Sequence, residues 1–442
     1  MENTFQATVR KMKVGRLTRI DAAACAAIIL LLLVPCVSHG YSVLTHEAIV
    51  DAAWDPAIKP VLLARFPHST ASELKEARSY AYGGCIIQDM GYYPFGSHFF
   101  TNLLHYVRSG DFVETMLGDA QDENEYAFAL GAMAHYYADT NGHPIAINPS
   151  VPLRYPKMRE EYGDTATYAE NPKDHILVEF SFDVVQVAGT AYAPQAYHDF
   201  IGFKVAKPLL ERAFKETYGL EMKDVFFSED LAIGTYRRAV SKTIPHMTRV
   251  AWSQKKDQIE KLVPGIQRKK YIFRLSRREF NKEFGADYRR PSFGAEVLSF
   301  FLRLVPKIGP FKALSFKAPT PKMESLFQQS FAVTRQRYTG ALHQLQSAGK
   351  LKLANEDYDT GKPTAAGEYI LADETYADLL DKLADHKFAG VPPQMVADIL
   401  QFYSAPKNES TLSGKAQKRW ARTAKEIDQL KSAVAANDAS NH

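Results

Sequence analysis

The sequence has few cysteines, few alternating strand patterns, and no internal repeat or low-complexity tract. Only three of its 442 residues are cysteines, and two of these, Cys25 and Cys36, lie in an N-terminal segment that we expect to be removed. Cys85 alone would remain, so no intramolecular disulfide can form even in an oxidising compartment. We interpret Cys85 as a small buried residue. The scarcity of alternating patterns argues against a β-rich fold.

The first forty residues have the pattern of a secretory signal peptide. Five basic residues precede an apolar run from Ala22 to Val37, and Ser38-His39-Gly40 places small residues at −3 and −1 of a cleavage site. The run of about 16 residues is shorter than the about 20 of a membrane-spanning helix. We therefore predict an exported protein, periplasmic or secreted, that begins at Tyr41. An uncleaved anchor is the alternative, and cleavage after Ser38 also fits the small-residue rule.

Most of the positive charge belongs to this leader. Residues 1–40 carry five basic and two acidic residues, so their removal lowers the formal net charge from +4 to +1. A nearly neutral protein gives little support to nucleic-acid binding by bulk electrostatics.

Helical periodicity dominates the rest of the chain and predicts an all-α protein. We expect a compact multi-helix domain at residues 41–254, a basic and apolar connecting region at 255–320, and a helical C-terminal extension at 321–442. Thr45 is the expected cap of the first helix. The other predicted helices are 73–82, 126–139, 173–188, 196–218, 230–253, 323–347 and 375–402. The apolar, lysine-dotted stretch 297–316 fits either a helix on a bilayer surface or a helix packed on the first domain.

One segment concentrates residue types that bind metal ions. His135 and Asp139 are four residues apart and share a helical face, and His143 follows where Gly142 and Pro144 end the helix. Imidazole and carboxylate are common zinc ligands. By itself, this spacing also fits a surface cluster or a helix-capping set.

The pattern recurs on other elements. A second pair at i and i+4, an Asp and a His around a Gly/Pro-rich turn, and a His near the expected N-terminus add five more residues of ligand type: His175 with Glu179, Asp89 with His98, and His46.

In this order the residues resemble the zinc-dependent phospholipase C family, whose wider relatives include S1/P1-type nucleases and a phospholipase D domain that acts on glycosylphosphatidylinositol anchors. The resemblance covers roughly residues 41–250 and implies an all-helical domain with three zinc ions. It also implies that the amine and carbonyl of the mature N-terminal residue bind zinc, and that Asp139 bridges two ions. The implied metal ligands are Tyr41, His46, Asp89, His98, His135, Asp139, His143, His175 and Glu179.

Two departures from the family pattern limit what the resemblance implies about substrate. Tyr41 replaces the usual Trp, which is tolerable because backbone atoms would bind the metal. The gap from Asp139 to His143 is shorter than in the small bacterial members and closer to that of the anchor-cleaving relatives.

The resemblance implies hydrolysis of phospholipid headgroup phosphodiesters by a zinc-bound hydroxide at a membrane surface, with no obligate protein partner. Asp89 and Asp139 are the candidate catalytic residues. A role of Asp89 as proton acceptor is a hypothesis, which an Asp89→Asn variant with full zinc and full activity would exclude. A cut of the D type, a single-strand nuclease and a non-catalytic zinc-stabilised envelope protein stay open as alternatives.

The sequence leaves two interpretations for His105 and for a set of aromatic residues near the Gly/Pro-rich turn. His105 lies seven residues after His98, and we interpret it as a polar core residue; a zinc ligand in place of His98, or a partner behind the ligands, is the alternative. Five aromatic residues are interpreted as core, with the wall of a substrate pocket as the alternative: Tyr92, Tyr93, Phe95, Phe99 and Phe100.

Overall fold

Helices form nearly all regular structure in the residues that the computed structural model describes, which are 42–189, 202–243, 317–404, 414–440 and six single positions between 252 and 268. The helices are α1 Val43–Ala53, α2 Lys59–Arg65, α3 Ala71–Ile87, α4 His98–Tyr106, α5 Ser109–Asp119, α6 Glu123–Gly142, α7 Asn148–Arg154, α8 Pro156–Tyr162, α9 Pro172–Gly189, α10 Lys207–Tyr218, α11 Met222–Val225, α12 Glu229–Arg238, α13 Pro321–Ala348, α14 Ile370–Asp385, α15 Pro393–Phe402 and α16 Gly414–Ser440. Within these residues the one sheet is a hairpin that pairs β1 Glu356–Asp357 with β2 Lys362–Pro363. The all-α prediction is confirmed.

The close packing of α3 on α6 forms the centre of the core. Asp122 caps α6 by accepting a hydrogen bond from the Glu125 amide, and the helix ends at Gly142 before a π-helical turn, His143–Ile147. A β carbon placed on Gly84 of α3 would lie 1.8 Å from the carbonyl oxygen of Phe128 on α6. The two backbones can therefore meet only because glycine has no side chain. This approach brings α3 carbonyls next to the inward face of α6.

A remote carboxylate, rather than a local one, caps α1. Asp183 of α9 accepts hydrogen bonds from the Leu44 and Thr45 amides at 3.1 and 3.0 Å and from the Thr45 hydroxyl at 2.6 Å. It thus gives a partner to the Leu44 amide and a second acceptor to the Thr45 amide, which also donates to the Ser42 carbonyl oxygen at 2.9 Å. The prediction that Thr45 is the cap is wrong, because the helix begins at Val43. The contact fixes α1 and α9 relative to each other.

The chain after residue 317 packs directly on these helices. Helix α13 lies along α6, where the Tyr338 hydroxyl donates to the carbonyl oxygen of Leu130 at 2.9 Å. Residues 353–361, named here the hairpin segment, cross α5 and α6. The Ser109 hydroxyl donates to the carbonyl oxygen of Glu356 at 2.6 Å, and the Tyr136 hydroxyl donates to that of Ala354 at 3.0 Å. All described residues belong to one compact unit of the chain.

Four predicted helices differ clearly from the structure in their bounds. The predicted helix 73–82 runs from Ala71 to Ile87. In the described part of the predicted helix 196–218, the helix begins only at Lys207. The predicted helix 375–402 is two helices, α14 and α15. They are separated at Lys387 and Phe388, whose φ angles of 54° and 56° lie in the left-handed region. The predicted helix 230–253 corresponds to α12, which ends at Arg238 and is followed by a π-helical turn, Ala239–Thr243. The leader and the stretch 297–316 lie outside the described residues. Within the described residues, no helix has both the length and the apolar character needed to cross a membrane.

We predict that ionisation of Asp398, in the C-terminal region, lowers the free energy of unfolding as the pH rises. Asp398 of α15 accepts a hydrogen bond from the Tyr376 hydroxyl at 2.7 Å, and burial raises its pKa from 3.8 to about 6. A raised pKa in the folded state means that the contribution to stability is complete below pH 4 and lost as the pH rises through about 6. Relative to Asp398→Asn, the wild-type free energy of unfolding should fall by about 1–3 kcal/mol between pH 4 and pH 7. Urea unfolding at several pH values measures this; parallel curves for the two proteins would contradict it.

Candidate metal centre

Eight side chains of ligand type meet in the interior, each at most 1% exposed. They come from α1, the turn after α3, α4, α6, the π-helical turn and α9. The residues are His46, Asp89, His105, His135, Asp139, His143, His175 and Glu179.

Asp139 lies at the middle of this cluster. Its carboxylate oxygens lie within 4.0 Å of imidazole Nε2 atoms from four histidines: His135 at 3.1 Å, His46 at 3.4 Å, His105 at 3.5 Å and His143 at 4.0 Å. The Nε2 atom of His105 is also 3.5 Å from an oxygen of Asp89. One carboxylate that faces several imidazoles is the geometry expected of a residue that bridges metal ions.

Three groups of three residues could each hold one ion. In each group, one ligand atom per residue lies within 4.8 Å of the other two. The groups are His46, Asp89 and His135; His105, His135 and Asp139; and His143, His175 and Glu179.

Backbone carbonyls orient two of the imidazoles. The Nδ1 atom of His135 lies 2.9 Å from the carbonyl oxygen of Cys85, and that of His105 lies 2.9 Å from the carbonyl oxygen of Thr101. A carbonyl can only accept, so each Nδ1 carries the proton. In each ring, Nε2 then faces the carboxylates and is the nitrogen left to bind a metal ion.

His175 and Glu179 face each other with two acceptor atoms. Asn148 uses its amide NH2 to donate to the backbone carbonyl of Asp359, so its side-chain oxygen faces the Nε2 atom of His175 at 3.0 Å and accepts from it. The Nδ1 atom of His175 therefore has a lone pair, and it lies 2.7 Å from a carboxylate oxygen of Glu179. Two acceptors at this distance require a proton or a cation between them.

The electrostatics of the cluster also favour a bound cation. Burial raises the pKa of Glu179 well above its usual value, and nearby carboxylates raise it further. Burial and the neighbouring His135 ring lower the pKa of His46 to about 3. Both carboxylate oxygens of Asp89, Asp139 and Glu179 are buried, without a hydrogen-bond donor among the described residues. Buried carboxylate oxygens without a hydrogen-bond donor are costly, so the donor set fits divalent metal ions.

Residues 45–228 match the model of the family described as zinc-dependent phospholipase C. They form a zinc-dependent phospholipase C domain. The chain is accordingly a zinc-dependent phosphodiester hydrolase of the phospholipase C type, and a lipid is its implied class of substrate. The matched range contains all eight residues of the buried cluster. No curated protein and no solved structure matches the chain.

The structure brings seven of the nine predicted ligands of the phospholipase C domain together and places His98 apart from them. His98 is exposed in the first turn of α4, outside the three groups, whereas His105 is buried beside Asp89 and Asp139. The two histidines share a helical face, but seven residues separate them by about 10 Å along the axis. In the structure, His105 is the one that lies within 4 Å of the carboxylates. Tyr41, the predicted N-terminal ligand, lies outside the described residues.

We predict that replacing His105 by alanine removes zinc, whereas replacing His98 does not. His105→Ala should lose at least one zinc ion and lower activity at least about 100-fold, because it removes an imidazole that faces two carboxylates. His98→Ala should keep its full zinc content, and its stability should change by less than about 0.5 kcal/mol. Metal analysis of the two purified variants checks this. Loss of zinc from His98→Ala with retention in His105→Ala would restore the original assignment.

The hairpin segment, which lies outside the phospholipase C domain, adds residues that sequence reasoning missed. The buried Tyr358 ring packs 4.9 Å from the His105 ring and 5.9 Å from the His135 ring. An oxygen of Asp359 lies 3.7 Å from the Nε2 atom of His143. The sequence Glu356-Asp-Tyr-Asp-Thr-Gly361 contains neither a histidine nor a spacing that signals a metal ligand.

Four buried tyrosines lie near the cluster, and we call them the tyrosine layer: Tyr92, Tyr106, Tyr168 and Tyr369. The Tyr92 ring lies 6.3 Å from the His105 ring, and Tyr168 lies 5.8 Å from His175. Leu371 packs against both pairs of tyrosines. Of the aromatic residues with open roles, Phe100 is core, because it is fully buried against Phe214 and Phe226.

Proposed function

We propose that the enzyme hydrolyses the headgroup phosphodiester of phospholipids on the glycerol side of the phosphate, with three zinc ions. The observation that carries the proposal is the buried cluster around Asp139 within a zinc-dependent phospholipase C domain. When bound, zinc lowers the pKa of water and screens the charge of phosphoryl oxygens.

The proposed ligands divide around the shared carboxylate of Asp139. His46 and Asp139 would hold one ion, together with the backbone of the mature N-terminal residue. The second would be held by Asp89, His105, His135 and Asp139. His143, His175 and Glu179 would hold the third.

The surroundings of the cluster support a lipid substrate. The side chain that follows Tyr369 of the tyrosine layer in the sequence, Ile370, is 60% exposed although it is large and apolar. We propose that this side of the domain meets the lipid surface. The low net charge expected for the mature chain disfavours a nuclease.

Phosphorus NMR of the products tests the proposal. Zinc-loaded protein is mixed with vesicles of phosphatidylcholine, phosphatidylethanolamine and phosphatidylglycerol, with and without a chelator. Chelator-sensitive release of a phosphorylated headgroup is the expected result. Phosphatidic acid would instead assign a cut of the D type, and unchanged lipid with verified zinc would overturn the lipase proposal and make single-stranded nucleic acid the next substrate to test.

We also propose that the enzyme is exported and that its N-terminal residue after processing is Tyr41. The leader pattern supports this proposal. N-terminal sequencing of protein recovered from the periplasm or the medium tests it. A retained leader would exclude the N-terminal amine as a zinc ligand.

A further inference from the structure

Asp359 is buried at the metal cluster, although it belongs to the hairpin segment rather than to the phospholipase C domain. Its side chain is 0% exposed. One of its oxygens, Oδ2, accepts hydrogen bonds from two hydroxyls of the tyrosine layer, Tyr106 at 2.9 Å and Tyr369. Its position is therefore fixed by the fold.

The other oxygen of Asp359 has a different environment. Oδ1 is buried and has no hydrogen-bond donor among the described residues, and it lies 3.7 Å from the Nε2 atom of His143. Neither nitrogen of His143 has a hydrogen-bond partner there either. A buried carboxylate oxygen without a donor is costly, so a role in binding a cation explains this arrangement better than a purely structural role.

Asn148 links Asp359 to His175, which belongs to the same ligand group as His143. Its amide group donates to the backbone carbonyl of Asp359 at 2.7 Å, while its side-chain oxygen accepts from His175 at 3.0 Å. One side chain thus sets both the backbone of Asp359 and the ring orientation of His175. Such hydrogen bonds behind the ligands are what positions a metal site.

We propose that Oδ1 of Asp359 is a ligand of the zinc ion held by His143, His175 and Glu179. This inference rests on the proposed function, because it assumes that this group binds zinc. Two ligand atoms on a tetrahedral zinc ion lie about 3.3 Å apart, so the observed 3.7 Å requires only a small shift. The C-terminal region would then complete a metal site of the domain, and a chain without it would hold this ion more weakly.

The test compares metal binding in the full chain and three variants. Asp359→Asn removes the charge but keeps an oxygen for the tyrosine hydroxyls, and Asp359→Glu keeps a carboxylate. Asp398→Asn is the matched control, since Asp398 also accepts a tyrosine hydroxyl in the C-terminal region and belongs to none of the three ligand groups found among the described residues. Zinc content and affinity are measured by metal analysis and chelator competition, and the coordination of substituted Co²⁺ is followed by its visible absorption.

The expected result is that Asp359→Asn binds one ion at least about 10-fold more weakly and has altered Co²⁺ bands. Asp359→Glu should lie between this variant and the wild type, and Asp398→Asn should match the wild type. If Asp359→Asn had unchanged zinc affinity and unchanged Co²⁺ bands while the wild type bound zinc normally, the proposal for Asp359 would be overturned and the proposed function would stand. A wild-type chain that binds no zinc would overturn the proposed function as well.

Discussion

Asp139→Asn is expected to lower kcat/KM for phospholipid hydrolysis at least about 1,000-fold, equivalent to about 4 kcal/mol of transition-state stabilisation. The reason is that four histidines face this carboxylate, and an amide can neither carry its charge nor offer two equivalent oxygens to two ions. The variant should also lose at least one zinc ion. Activity on vesicles and metal analysis of the same preparation measure the two effects.

Asp398→Asn again serves as the control, because it exchanges a partly buried carboxylate that is not part of the cluster. It should keep full activity and full zinc content. If Asp139→Asn kept both its zinc and its activity, Asp139 could not be the shared residue of the site.

Gly361→Ala is expected to lower the free energy of unfolding by about 2–4 kcal/mol. Gly361 has a φ of 66°, and an added β carbon would lie 2.5 Å from the carbonyl oxygen of Thr140 and 3.1 Å from Pro144. The substitution thus combines an unfavourable backbone conformation with a clash against the last turn of α6. Because relief of this clash must move the hairpin segment, zinc affinity should fall together with stability. Denaturant unfolding and chelator competition provide the two readouts.

Gly349→Ala is the control for Gly361→Ala, because it introduces the same backbone strain without a clash. Gly349 has a similar φ of 70°, but a β carbon there would meet no atom within 4 Å. We expect it to cost only about 1 kcal/mol and to leave zinc affinity unchanged. Equal losses of stability in the two variants would show that the hairpin segment is not tightly docked.

Local spacing in the sequence located much of the metal cluster. His135, Asp139 and His143 could be placed together because α6 has the regular period of a helix and ends at Gly142. The pair His175 and Glu179 follows the same rule on α9. The structure brings these five residues to one place; that they bind zinc stays a proposal.

Spacing could not choose between His98 and His105, because both lie on the same face of α4. The choice depends on depth along the helix, and thus on how α4 packs against the turn that carries Asp89. The sequence gives no direct signal of that packing.

Asp359 could not be predicted for a different reason. More than 200 residues separate it from His143, and its position depends on contacts made by the hairpin segment as a whole. Two of these contacts involve Ser109 and Gly361, which are ordinary surface or turn residues in a sequence pattern.

Anomalous diffraction at the zinc absorption edge, from crystals of the protein grown with zinc, tests the central claim most directly. The account predicts strong peaks around Asp139 and a further peak among His143, His175 and Glu179, with Oδ1 of Asp359 about 2.0–2.2 Å from that ion. An absence of anomalous density from the cluster, in crystals whose protein is active on phospholipid, would contradict it.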